Sequence, residues 1–241
     1  MSTRVGRTVE LGPFTPPGGP ARPVRAYVPT RVDLSRPHPT LYLLDGQNVF
    51  GDHGSYAGGW HAHEAVERLA AKTLDPPVIV AVANGGVHRI SELGTGLDGF
   101  LNMFISDLIP RVEAALGGGG PRVLGGASLG GLASLHAWIH HPHVFHSALV
   151  MSPSLWFQHR ALLHHVERGH WPLPRAGRLY LDAGARERGR MYADAAHLAA
   201  VLRGAGMGED RLLWRPDRRG AHHERHWRRR LPRALRFLFR R

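Results

Sequence analysis

The sequence predicts an α/β fold: a mostly parallel central sheet that opens with antiparallel strands and carries helices on both faces. Three observations lead there. Apolar runs recur without the polar alternation of half-exposed strands, at Thr40–Leu44, Val78–Ala83 and His146–Ser152. Segments with helical periodicity fill the intervals between them. In mid-chain, the glycine turn Gly125–Gly131 joins an apolar run, Arg122–Leu124, to the helical segment Leu132–Ile139.

Taken in order, the first strand is expected to be short and peripheral, around Thr8–Leu11, because Pro13, Pro16, Pro17 and Gly18-Gly19 follow it closely. Val24–Val28 alternates and stops at Pro29, as an edge-type strand does. Thr40–Leu44 reads as a strand buried on both faces and ends in the turn signal Asp45-Gly46-Gln47-Asn48. Ala62–Thr73 has helical spacing, with Ala65, Leu69 and Ala70 on one side. Val78–Ala83 is closed by Asn84-Gly85-Gly86, and a polar loop is expected from there to about Phe100. Helix periodicity then runs from Phe100 to Leu116 despite Pro110, and Gly117–Pro121 ends it. After the central turn come a strand at His146–Ser152, a weak helix at Ala161–Gly169 and a strand at Arg178–Asp182. A helix at Tyr192–Leu202 and a last strand at Arg211–Arg215 follow. From about Glu224 the chain is helical, with Trp227, Leu231, Leu235 and Leu238 on one face and a kink or restart expected at Pro232.

At 241 residues, without repeats or a linker between two composition regimes, residues 1–241 are expected to form one domain. There is no cysteine, which rules out disulfides and thiolate chemistry. No run is long and apolar enough to span a bilayer, and no signal-peptide pattern opens the chain, so the expected location is cytoplasmic. The formal net charge of +12 is almost entirely arginine, since Lys72 is the sole lysine; a GC-rich coding bias accounts for this simply. Twelve arginines fall in Arg211–Arg241, but no nucleic-acid reading element or interleaved aromatics accompany them, so no nucleic-acid partner is expected. The 18 histidines cluster at His61–His63 and His140–His146 without a zinc-site spacing, and no metal is expected. Gly117–Gly120 lacks the Gly-Lys-Ser/Thr of a phosphate loop. No pattern encodes a protein partner or an oligomer.

The central turn carries the chemistry. Gly126-Ala127-Ser128-Leu129-Gly130 has the form Gly-x-Ser-x-Gly between a strand and a helix, which puts a serine at a strained tip. A serine hydroxyl is a weak nucleophile until a base, commonly a histidine oriented by a carboxylate, takes its proton. On such a sheet the order is serine, acid, histidine. The loop after the last strand supplies His222 and His223, with His226 one turn on. The end of the preceding strand supplies Asp182 and Glu187, with Asp194 more remote. The amide of Leu129 follows from the turn as one oxyanion donor, and the Gly46-Gln47 loop supplies the amide of Gln47 as the other.

These pieces resemble the putative-esterase family of α/β-hydrolases, the one that includes esterase D, enterochelin esterases, feruloyl esterases and mycolyltransferases. The resemblance is carried by Tyr42–Phe50, Trp60-His61, Gly126–Gly131, Met151–Trp156, Tyr180–Gly184 with Glu187, and His222-x-Glu224-x-x-Trp227, in the family's order. It implies the α/β-hydrolase fold, ester hydrolysis through an acyl-enzyme at Ser128, Glu187 as the acid and His222 as the base. His223 stands in the place of the family's asparagine, and the tyrosine-proline that often follows Arg89 and Glu92 is missing. Asn48, Trp60, Arg89 and Trp156 are expected at the pocket for a small-molecule ester, with no cofactor. Acyl transfer, cleavage of a thioester or a siderophore trilactone, and a non-catalytic binding role are the alternatives.

Overall fold

The computed structural model describes residues 6–70, 75–169, 171 and 173–240. Its frame is an eight-stranded sheet in the order β1-β2-β4-β3-β5-β6-β7-β8. The strands are β1 (Arg7–Phe14), β2 (Arg22–Val28), β3 (His38–Leu44), β4 (Val78–Val82), β5 (Gly119–Ala127), β6 (Ser147–Met151), β7 (Leu179–Asp182) and β8 (Leu212–Trp214). Strand β2 runs antiparallel to both β1 and β4, and every other pairing is parallel. This is the mostly parallel sheet with antiparallel N-terminal strands that the sequence predicts.

Seven α-helices accompany it among the described residues: α1 (Ala62–Ala70), α2 (Leu97–Met103), α3 (Ile109–Leu116), α4 (Leu129–His140), α5 (Phe157–Glu167), α6 (Met191–Gly204) and α7 (Glu224–Leu238). The sheet separates two apolar clusters, because successive side chains of a strand point to opposite faces. Leu41, Leu43, Ile79 and Ala81 face the side covered by α1 and α7, with Val66, Leu231 and Leu235 against them. Tyr42, Leu44, Val80 and Val150 face the other side, where Leu101, Val112, Leu135 and Leu198 of α2, α3, α4 and α6 cover them. The apolar runs of β3, β4 and β6 are therefore buried throughout, as continuous runs in a parallel sheet must be.

Three elements differ from the sequence expectation. Strand β1 extends to eight residues because an irregularity between Glu10 and Pro13 lets pairing with β2 resume at Pro13 and Phe14. The segment expected as loop up to Phe100 is largely helical, with a 3-10 turn at Gly86–His88, a π turn at Ser91–Thr95 and then α2. Its glycines hide the periodicity, and tertiary pairs hold it. Helix α7 continues through Pro232 without a break, because an amphipathic face buried on the sheet outweighs one missing N–H. Pro110 sits in the first turn of α3, where a missing N–H costs nothing. The last residues of the helix expected at Ala62–Thr73 lie outside the described residues.

Candidate active site

The strand order reverses direction at β3: β4 lies on one side of it and β5 on the other. Crevices of open α/β sheets form beyond the carboxyl ends of the strands at such a point. The chain leaves β3 through Asp45 and β5 through Ser128, and both adopt left-handed backbones, with φ of 58° and 61°. Ser128 joins β5 to α4 as the residue before the helix. The turn is tight enough that a Cβ on Gly126 would sit 2.7 Å from the Gly130 backbone, so only glycine fits there. The N–H of Leu129, first residue of α4, has no intrahelical acceptor.

A cavity of about 550 Å³ opens at this crevice. Of the residues singled out in the sequence, Gln47, Asn48, Trp60, Arg89, Ser128 and His222 line it. Trp156 does not: it is half exposed and packs edge-on against Phe157. The family resemblance of Met151–Trp156 suggested the pocket, but the side chain lies outside the cavity wall. Asp45, Tyr56, Asn84, His223, Glu224 and Trp227 also line the cavity. Of these, Tyr56 had no signal in the sequence, because it reaches the site from a loop.

The loops that carry Glu187 and His222 are tied to each other. A bridge pairs Gly184 with Asp217, and Ala185 and Arg186 donate their N–H groups to the carbonyls of Asp217 and Gly220, both at 2.9 Å. This brings His222 Nδ1 to 3.5 Å from Glu187 Oε2. His223, also in the wall, has a different partner: it precedes α7 as the capping residue, and its Nδ1 accepts from Arg225 N at 3.2 Å. Asp182 faces no histidine. It is fully buried, accepts from Tyr180 Oη at 3.0 Å and lies 3.3 Å from Arg230 Nη1. Burial pushes its carboxyl up to about 7, against the pull of Arg230 and Tyr180. Glu187 is affected in the opposite sense. Burial raises it, but the nearby His222 ring, hydrogen bonds from Ser152 and Gly184, and the Arg230 charge hold it below the ordinary carboxylate range.

Ser128 Oγ has Ser154 Oγ as its hydrogen-bond partner, at 3.2 Å. Trp60 packs against Trp227 at 6.1 Å between ring centroids, and Trp227 packs edge-on to His222 at 4.9 Å. On the opposite wall Asp45 takes both prongs of Arg89, at 2.6 and 2.8 Å, and the amide of Asn84 at 2.7 Å. Burial works against the Arg89 charge, yet the bonds to Asp45 outweigh it and raise the guanidinium above its usual value. Among the described residues, no three His, Asp or Glu side chains converge in a way that could hold a metal ion. No described helix is long and apolar enough to cross a membrane.

A strained serine at a strand-to-helix turn beyond a mostly parallel sheet defines the α/β-hydrolase class. Within that class the model of the family described as "Putative esterase" matches residues 19–238, and the chain belongs to this family. The Iron(III) enterobactin esterase of Escherichia coli strain K12 is 32% identical over 196 residues, covering 73% of this chain and 47% of that protein. An Iron(III) salmochelin esterase of a second Escherichia coli strain is 28% identical over 144 residues, covering 58% and 34%. The chain thus spans about half or less of the length of these curated relatives. Among solved structures, the enterobactin esterase of Shigella flexneri in the presence of enterobactin superimposes with a TM-score of 0.77 at 25% identity, covering 97% of this chain and 58% of that one. The BES protein of Bacillus cereus, at 23% identity, shares the fold over nearly the full length of both chains, with a TM-score of 0.75.

Proposed function

We propose that the protein is a serine hydrolase that cleaves carboxylic esters of small molecules within one domain. The observation that carries this reading is the position of Ser128. It sits at φ 61° at the head of α4, in one cavity with a histidine whose far ring nitrogen faces a buried carboxylate. Ser128 Oγ attacks the ester carbonyl. His222 Nε2 accepts its proton and returns it to the departing alcohol, after which water deprotonated by the same imidazole releases the acyl group. Glu187 fixes the tautomer of His222 and stabilises the imidazolium. The amides of Leu129 and Gln47 hold the tetrahedral oxyanion. Attack requires Ser128 to turn from Ser154 to His222, a rearrangement of the kind that substrate binding brings about in catalytic hydrogen bonds. The chemistry asks for no metal or organic cofactor.

The names of the relatives favour one substrate class within this reading. Proteins described as enterobactin and salmochelin esterases share over a quarter of aligned residues, so siderophore-type esters belong in the substrate panel beside simple acyl esters. The test is hydrolysis of p-nitrophenyl acyl esters and a trilactone siderophore by wild type and Ser128→Ala, together with fluorophosphonate labelling. The expected result is labelling at Ser128 and a loss of at least about a thousandfold in kcat/KM for the variant. Activity that survives in Ser128→Ala removes the serine from the mechanism. Folded protein that neither reacts with the probe nor turns over any ester would indicate a binding protein.

A further inference from the structure

The acid-base pair is backed by a residue that the mechanism leaves unused. Ser152, the first residue after β6, is fully buried, and its φ of 44° is a left-handed backbone that a residue with a Cβ rarely adopts. Its N–H is anchored on the Asp182 carbonyl at 2.9 Å. Its hydroxyl is the meeting point of three side chains. Trp227 Nε1 donates to it at 3.0 Å and Arg230 Nη2 donates to it at 2.9 Å, while Ser152 Oγ lies 2.5 Å from Glu187 Oε1.

The donor inventory fixes the direction of these bonds. An indole N–H and a guanidinium N–H can only donate, so together they occupy both lone pairs of the serine oxygen. The single hydroxyl proton is left for Glu187. Glu187 Oε1 also accepts the N–H of Gly184 at 2.8 Å and has Arg230 Nη2 at 3.7 Å. One carboxylate oxygen is thereby saturated. The other, Oε2, is buried without a hydrogen-bond partner and has His222 Nδ1 3.5 Å away. Trp227 adds a second link, since the indole that donates to Ser152 also packs its ring edge-on to His222.

We propose that Ser152 is a positioning residue. Its hydroxyl, compelled by Trp227 and Arg230 to donate, locks Glu187 through Oε1 and leaves Oε2 as the one acceptor presented to His222. The role rests on the reading of Glu187 and His222 as acid and base. It accounts for the strain at Ser152, because the hydroxyl reaches Glu187 only if the chain turns sharply out of β6. It also explains why a buried arginine stands beside the site: Arg230 supplies one of the two donors and a compensating charge for the carboxylates on either side.

Two variants separate positioning from folding. Ser152→Ala removes the hydroxyl and keeps the strained backbone. Ser152→Gly removes the hydroxyl and suits a positive φ, so it relieves strain instead of adding it. In both, kcat toward a p-nitrophenyl ester is expected to fall by about 10- to 100-fold with KM within about twofold, the scale of a misplaced catalytic group. The decisive measurement is the tautomer of His222, read from imidazole 15N shifts and assigned by comparison with His222→Gln. The wild-type ring is expected to be a single Nδ1–H tautomer, and both Ser152 variants a mixture with Nε2–H. A single Nδ1–H tautomer in both variants would overturn the proposal, whether or not activity falls. If Ser128→Ala stays active while the tautomer shifts as expected, the hydrolase reading fails and the positioning of His222 stands.

Discussion

Three non-glycine residues, Asp45, Ser128 and Ser152, leave the carboxyl ends of β3, β5 and β6 with positive φ. Each such conformation costs about 1–3 kcal/mol and persists because its surroundings over-determine it. Two line the cavity and one backs it: Asp45 holds Arg89 and Asn84, Ser128 meets the cavity, and the buried Ser152 holds Glu187, the partner of His222. At this scale the adjacent histidines make a direct prediction. His223 caps α7 and His222 faces Glu187, so His223→Ala is expected to cost about 1 kcal/mol of stability and leave ester hydrolysis within a fewfold of wild type. His222→Ala is expected to leave stability nearly unchanged and lower kcat by more than about a thousandfold. Thermal melts and turnover on one ester check both, and the reverse pattern would move the base to His223. The two histidines could not be separated by spacing alone, because one residue along a loop is enough to reverse the direction of a side chain.

At the scale of elements, the segment from Gly86 to Thr95 shows what the linear sequence conceals. Its glycines read as loop, yet it folds into short helical turns pinned at two points. Arg89 reaches Asp45, and Glu92 receives Arg22 of β2 through two bonds of 2.6 and 2.5 Å, with both side chains almost wholly buried. Neither pair is local in sequence, and no periodicity announces it. Removing one partner strands a buried charge, so Arg22→Met is expected to destabilise by about 3 kcal/mol in urea unfolding. Because the segment carries Arg89 into the cavity wall, a raised KM should accompany the loss. An unchanged midpoint would show that Glu92 finds water or a proton without cost. By contrast β3, β4, β6 and α4 were legible, since continuous apolar runs and a Gly-x-Ser-x-Gly turn are local patterns tied directly to burial on two faces and to a tight crossing.

At the scale of the whole molecule, α7 closes over the sheet and sends Arg230 between two carboxylates, Asp182 and Glu187. These titrate in opposite senses, and the sign can be worked out for each. Glu187 has a lowered pKa in the folded state, so its contribution is present above the ordinary carboxylate range and is lost on acidification through the folded value. Asp182 has its pKa pushed up to about 7, while the unfolded chain titrates near ~4. The native state therefore binds the extra proton between these values, and this group draws stability down as pH rises across that window. Asp182→Asn, a neutral isostere, is expected to gain on wild type from pH 5 to pH 8 by on the order of 1–3 kcal/mol. Denaturant unfolding at several pH values checks this, and a flat difference would mean that Asp182 is already ionised at pH 5.

By itself the sequence determined the layered α/β architecture, the serine turn and the chain order of the loops that carry Ser128, Glu187 and His222, since hydrophobic period and turn chemistry are read within a few residues. Tertiary structure alone decided which carboxylate faces a histidine and which histidine faces a carboxylate. It also turned Trp156 outward and gathered Ser152, Trp227 and Arg230 behind Glu187. The physical reason is range. A side chain's burial follows from its immediate neighbours in the pattern. Its direction and partners depend on where two distant loops meet, here at the Gly184–Asp217 bridge, and no local pattern encodes that meeting.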